Sequence, residues 1–239
     1  MSGLVARSAQ WQSSGGGSAP AFGGASRDFD GSSYIDLGDV LDQGQQSFTV
    51  AAWINTADAS TGSSVVRPIL AKQSTSSPYL GVNFSLLGRK PGLTNSRGDV
   101  VFGYILGAHT VPVNSWVHVC AVLDGSDRTN WKIYVDGISV SFFEGGFDLS
   151  GSGADNSESL LIGKRPIGEC FDGLLSDVRI YLGTVMTSGD VATLAGGGHV
   201  ATGLSGWWIT DTDDVLDYSG NGNHGTNYGS TYSTDGPLD

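Results

Sequence analysis

Residues 115–137 read SWVHVCAVLDGSDRTNWKIYVDG, and their period decides the class of structure. In an extended chain Trp116, His118, Cys120 and Val122 share one side, and Val117, Val119, Ala121 and Leu123 share the other. Both sides are mostly apolar. That marks a central strand, with one side on the core of a sandwich and the other covered or concave. The polar stretch DGSDRTN turns it back into a second strand, WKIYVDG. His118 and Cys120 become near neighbours. A Cys–His nucleophile pair also needs an orienting third group and an open cleft, so the two read as a satisfied core pair rather than a catalytic one.

The same alternation recurs outward in SYIDLGD, SFTVAAWINT, RPILAKQ, YLGVNFSLLG, DVVFGYILG, SLLIGKR and GLLSDVRIYLG, each bounded by Gly, Asn, Asp or Pro. Runs of this kind build an all-β, antiparallel two-sheet β-sandwich. One short helix is expected in TSGDVATLAGGG, with Thr187 or Ser188 as N-cap and Gly196 as stop. Residues 1–27 read as a Gly/Ser-rich arm, 28–198 as the sandwich, and 199–239 as a C-terminal segment completing it or a neighbouring one.

Glycine makes up 37 of the 239 residues, which favours tight turns over long helices. With 24 acidic residues against 12 basic ones, the net charge is −12. Such a chain repels polyanions and has no basic cluster to reverse this locally, so nucleic acid is excluded as a partner. No apolar run reaches the ~20 residues of a membrane span, and the opening MSGLVARSAQ lacks the apolar core of a signal peptide. Cys120 and Cys170 could form one disulfide but no framework.

The hairpin resembles the signature of the laminin G-like, concanavalin A-like lectin-glucanase jelly rolls. DFDGSSYIDLGD, SFTVAAWINT, ILAKQ and LLIGKRPIGECFDGLLSDVRIY resemble that family in order. The resemblance implies a jelly-roll sandwich. Pentraxins, cousins of the group, pair a cysteine of this hairpin with one in the strand resembling FTVAAW, where Ala51 and Ala52 stand here. Family chains usually begin with a stretch like residues 203–239, whereas this chain ends with it. The tail therefore folds back as in a circular permutation or completes a neighbour, and the second arrangement, a homo-oligomer, is the expected one.

In that tail Gly220, Gly222 and Gly225 match a dinucleotide fingerprint without the βαβ context that gives it meaning. Asp211, Asp213, Asp214, Asp217, Asn221 and Asn223 offer hard oxygens on a flexible turn, as Ca²⁺ prefers. The resemblance implies a structural Ca²⁺ between Asp217 and Asp177, and the chemistry of the turn offers Asn221, Asn223 and Asp213 as further ligands. The alternative is that these residues only cap Asx-turns.

Hydrolases on this fold need a carboxylate pair, and the strand motif E-x-D-x-x-E is absent. A non-catalytic module is expected. Its ring-bearing strand residues, Tyr79, Tyr104 and Trp131 with Phe84, Phe102 and Tyr134, could stack on sugar faces. The expected role is a binding or display module on a bacteriophage virion, as a capsid decoration or tail protein, with other copies, virion proteins and host glycans as partners. The alternatives are a secreted Ca²⁺-dependent lectin-like module and a glycoside hydrolase or lyase. The implied location is the virion surface or the extracellular space.

Overall fold

The computed structural model describes residues 24–62, 64–98, 101–150, 153–208 and 214–237. In chain order the strands are β1 (Ser26–Asp30), β2 (Tyr34–Asp36), β3 (Phe48–Thr56), β4 (Val66–Gln73), β5 (Gly81–Leu87), β6 (Lys90–Arg97), β7 (Val101–Gly107) and β8 (Val117–Leu123). There follow β9 (Lys132–Val135), β10 (Ile138–Val140), β11 (Phe142–Gly146), β12 (Leu161–Ile162) and β13 (Asp172–Leu182). Helix α1 (Ser188–Ala195) precedes β14 (Leu204–Trp208), β15 (Thr226–Tyr228) and β16 (Thr231–Ser233). Two antiparallel sheets result. The first runs β10-β9-β8-β3-β13-β1-β16 with β14 also on β13, and the second runs β11-β7-β6-β5-β4-β12-β2-β15.

The two faces of β8 separate as their period demands. Val117, Val119, Ala121 and Leu123 enter the core between the sheets, together with Phe29, Val50, Phe84, Ile105, Trp131 and Trp208. Cys120 and Val122 face away from it and are covered by Val191 and Leu194 of α1, with Tyr134, Tyr181 and Met186. The helix stands where the sequence placed it. Thr187 accepts from the Asp190 amide while the Asp190 carboxylate accepts from the Thr187 amide, a reciprocal cap, and Gly196 ends it.

His118 and Cys120 are 1% and 0% exposed. The imidazole meets the Trp53 ring edge-on, with centroids 5.4 Å apart. Burial holds the imidazole well below its ordinary range, at about 3, with Arg179 adding to the effect. Burial likewise pushes the Cys120 thiol up. A neutral imidazole and a protonated thiol in a closed layer are packing groups. The two cysteines are free, with Ala51 as the cross-strand neighbour of Cys120 and Cys170 Sγ near the Ser32 carbonyl.

The C-terminal segment packs on its own chain. β14 pairs with β13 over Val178–Tyr181, and β1 pairs with the same edge of β13 over Asp172–Leu175. β14 and β1 thus lie end to end along one strand. β15 pairs with β2 and β16 with β1. The turn between β15 and β16 also caps the fully buried Arg27, whose guanidinium donates to the Ser230 carbonyl at 3.1 Å. Ser26 and Arg27, assigned to the arm from the sequence, are buried residues of β1. The rest of the arm, residues 1–23, lies outside the described residues.

Candidate functional site

The second sheet keeps Val82, Phe84, Leu86, Leu93 and Ile105 on the core, so the intervening residues of β5, β6 and β7 project to its outer face. Register aligns them in rows across the strands. One row runs Ala71, Asn83, Thr94, Tyr104, Gly145, and the next contains Ser96 and Phe102. Leu106 and Phe143 form the row on the other side.

Three rings gather where β7 meets the edge strand β11. Phe102 and Tyr104 are stacked, with centroids 6.3 Å apart and planes 13° from parallel. Phe143 is 63% exposed and Phe102 45%. Gly145 makes this possible, because a Cβ there would strike the Tyr104 ring. Tyr79 borders the same face from the loop between β4 and β5. That loop is tied down by Ser96 Oγ donating to the Pro78 carbonyl at 2.8 Å and by Gln73 Nε2 donating to the Tyr79 carbonyl at 3.3 Å.

Away from the rings, toward β5 and β4, the face carries uncharged polar side chains. Asn83 and Gln73 project to it and are 5% and 7% exposed. Asn83 Oδ1 and Gln73 Oε1 accept no hydrogen bond. Sequence reasoning missed both, since an Asn or Gln within a strand gives no signal until its hydrogen bonds are counted.

Tyr79 and Tyr104, singled out from the sequence, border this face, and Phe102 joins them. Trp131 does not, which corrects that expectation. It is fully buried, and its indole donates to the Gly125 carbonyl at 3.3 Å. Phe84 and Tyr134 are likewise buried. A strand ring points inward as often as outward, and alternation alone does not say which side is core.

The residues named for Ca²⁺ are placed otherwise than a cation requires. Asp217 Oδ1 accepts from the amides of Trp207 and Ser219, and Oδ2 from the amide of Asn223, at 2.9–3.0 Å. This is an Asx-type cap. Asp177 sits at a bulge in β13 with φ +53°. Its Oδ1 accepts from Arg179 Nε at 2.8 Å and from the Trp207 indole at 2.6 Å. Asn221 and Asn223 direct their Nδ2 groups to the Ser205 carbonyl, and Asp213 lies outside the described residues. Among the described residues, no three His, Cys, Asp or Glu side chains gather into a ligand set. Ca²⁺ takes six to eight oxygens, whereas these oxygens already hold N–H donors and Arg179 already supplies the positive charge. The described members of the set do not fit a resident Ca²⁺. We expect chelator to leave the melting temperature unchanged and added CaCl₂ to move it by less than about 1 °C, since a ligand specific for the folded state would raise it with concentration. A rise that grows with the logarithm of CaCl₂ concentration would overturn this.

With the geometry in place, similarity to known proteins can be stated. The family model of the concanavalin A-like lectin/glucanases superfamily, Laminin_G_3, matches residues 29–192. No curated protein matches the chain. Among solved structures, a candidate carbohydrate-binding protein from Bacteroides ovatus is similar at 18% identity and a TM-score of 0.63. That match covers 90% of this chain, which spans 60% of the relative's length. A heptameric SAP-like pentraxin from Limulus polyphemus is similar at 16% identity and a TM-score of 0.56, over 92% of this chain and 100% of that one. The CBM40 of a Ruminococcus gnavus IT-sialidase, bound to α2,3-sialyllactose, is similar at 12% identity and a TM-score of 0.54, over 72% of this chain and 96% of that one. At such identities the likeness establishes the fold. Among the described residues, no helix is long and apolar enough to cross a membrane.

Proposed function

The chain belongs to the concanavalin A-like lectin/glucanases superfamily, and from that premise we propose that it is a non-catalytic glycan-binding module whose site is the outer face of the second sheet. The observation that carries the reading is the cluster of Phe102, Tyr104 and Phe143, exposed or half-buried on that face beside uncharged hydrogen-bonding groups. Aromatic faces stack on the apolar C–H surface of a sugar, and neighbouring polar groups fix its orientation. Carbohydrate binding attributed to the Bacteroides ovatus and Ruminococcus gnavus relatives supports this reading.

Glycoside hydrolysis needs two carboxyl groups about 5–10 Å apart across the scissile bond. The positions of β5, β6 and β7 that flank Tyr104 are Asn83, Ser85, Gly92, Thr94, Ser96, Phe102 and Leu106, and none is acidic. This supports binding without hydrolysis. Such a face meets glycans outside a cell, as on a virion or a secreted protein.

The test is binding to a broad glycan array by the parent and by Tyr104→Ala. Truncating a central aromatic anchor costs at least about 2 kcal/mol, or roughly thirtyfold in Kd. The ring is half-buried on an outer face, so the melting temperature should change little. An array with no bound glycan would sink the reading. Undiminished binding by Tyr104→Ala would move the site elsewhere.

A further inference from the structure

We propose that two copies of this chain pair edge to edge through β11, antiparallel and centred on Gly145, with Glu144 of each copy against Arg128 of the other. The pairing does not rest on the glycan reading, because Phe102 and Tyr104 keep the outer face either way. β11 is the last strand of the second sheet. Its ladder with β7 is prolonged at both ends, where the Ala108 amide donates to the Ser141 carbonyl at 2.8 Å and the Phe147 amide to the Phe102 carbonyl at 2.9 Å. In an antiparallel ladder, residues that turn both backbone groups to the partner strand alternate with residues that turn both away. Ser141, Phe143, Gly145 and Phe147 therefore face β7, and Phe142, Glu144 and Gly146 face outward. Among the described residues, no backbone hydrogen bond satisfies those outward groups. A free edge of this kind takes up another strand.

The side chains of the edge complement themselves. Lys and Pro protect many natural edges, and β11, FFEGG, has neither. Phe143 is 63% exposed, and Phe147, just past the strand, is 66% exposed. In the register centred on Gly145, Phe143 of each copy stands opposite Phe147 of the other, which joins the exposed rings in aromatic cross-strand pairs. Charge selects a second copy as the occupant. Glu144 shares the core-side row with Ile105 and comes opposite Gly146 of the other copy, which has no side chain. Gly146 pairs with Gly103, and Arg128 packs against that glycine, its Cδ 2.7 Å from where a Cβ would stand. Only Gly146 thus lies between the carboxylate of one copy and the guanidinium of the other. Arg128 Nε donates to Asp148 Oδ1 at 3.2 Å, while its two Nη groups donate to no acceptor among the described residues. Copies of net charge −12 repel one another in general, and on this flank opposite charges face each other. Neighbouring charges do not compete. Asp127 accepts from the amide and hydroxyl of Thr129, and Lys132 is paired with Val122 on the other sheet.

Light scattering of the full chain tests this. Between about 1 and 100 μM, which brackets weak and moderate association, the parent should approach twice its single-chain mass of 24.8 kDa. Glu144→Pro should stay at the single mass with its melt unchanged, since proline is tolerated where the N–H of an edge strand faces outward. Glu144→Lys and Arg128→Glu, each confirmed as folded by its melt, should each be monomeric alone, because like charges then meet. Their equimolar mixture should regain the double mass, because each carboxylate again faces a cation. A parent that stays at the single mass over the whole range overturns the proposal. A dimer that survives Glu144→Pro puts the contact elsewhere and overturns it as well. Either charge variant remaining dimeric alone, or a mixture that stays monomeric, overturns the pairing of Glu144 with Arg128.

Discussion

A chain ending at Gly198 is expected to lose its cooperative melt altogether and to show no native near-ultraviolet circular dichroism. The missing segment carries Trp208, fully buried in the core, Trp207 and Val215, each 5% exposed, and three strands that cover the edges of β13, β1 and β2. Replacing one buried tryptophan by alanine costs about 3–5 kcal/mol. Two such losses come to about 6–10 kcal/mol, comparable with the whole stability of a typical domain. Edge pairing adds to the loss, because β13, β1 and β2 would each expose unpaired backbone groups. Since the segment packs on its own chain, residues 199–239 supplied as a separate peptide should restore the near-ultraviolet signal. An unchanged melt in the shortened chain would show that the tail is not part of the sandwich.

Ser26 at the start of β1 is the cross-strand partner of Ser233 at the end of β16, and Ser26 Oγ donates to the Asp235 carbonyl at 2.6 Å. The two ends of the described sandwich therefore meet. That the tail belongs to the sandwich was legible in the sequence, because its Trp–Trp pair is unfavourable in water and because the stretch resembles a family opening. Where it docks was not legible. A segment that pairs with β13 could satisfy its own chain or another with the same hydrogen bonds.

The alternation of β8 fixed both the sandwich and the burial of His118 and Cys120, since two apolar faces require two covers. It did not reveal β6, whose KPGLTNSR carries Pro91 and Gly92 within a strand; both are disfavoured there, and tertiary pairing with β5 and β7 overrides local preference. The aromatic face was half legible. Tyr104 could be named as a ring on a strand, whereas Tyr79, expected on one, stands in the loop before β5, and separating them from Trp131 needed the side of each sheet that faces the core. The Ca²⁺ expectation rested on ligand chemistry and on the family resemblance; that the bulge brings Arg179, two residues from Asp177, beside that carboxylate needed the structure.

Arg179→Met is accordingly expected to destabilise the protein by about 3–5 kcal/mol, the cost of leaving one member of a buried ion pair without the other. For a chain of this length that is a fall of about 6–20 °C in melting temperature. Both side chains are 1% exposed, and the guanidinium also donates to the Gly198 carbonyl at 3.1 Å and lies 4.5 Å from the Trp207 ring centroid. The pair thus ties β13 to the segment that leads into β14. Burial pushes the Asp177 carboxyl up, while Arg179 first and the Trp207 indole after it pull it down. Burial prevails even beside Arg179, and without the guanidinium the carboxyl rises further. A carboxyl raised above its unfolded value makes the folded state the better proton binder, so stability is greatest at low pH and is lost as pH rises through the raised value. The deficit of Arg179→Met should therefore be largest near pH 8 and shrink toward pH 5. Adding Asp177→Asn to Arg179→Met removes the stranded charge and should recover part of the loss, a non-additivity expected of partners in contact. A single variant that melts within about 1 °C of the parent, or a deficit independent of pH, would show that the pair is not the clasp between β13 and the tail.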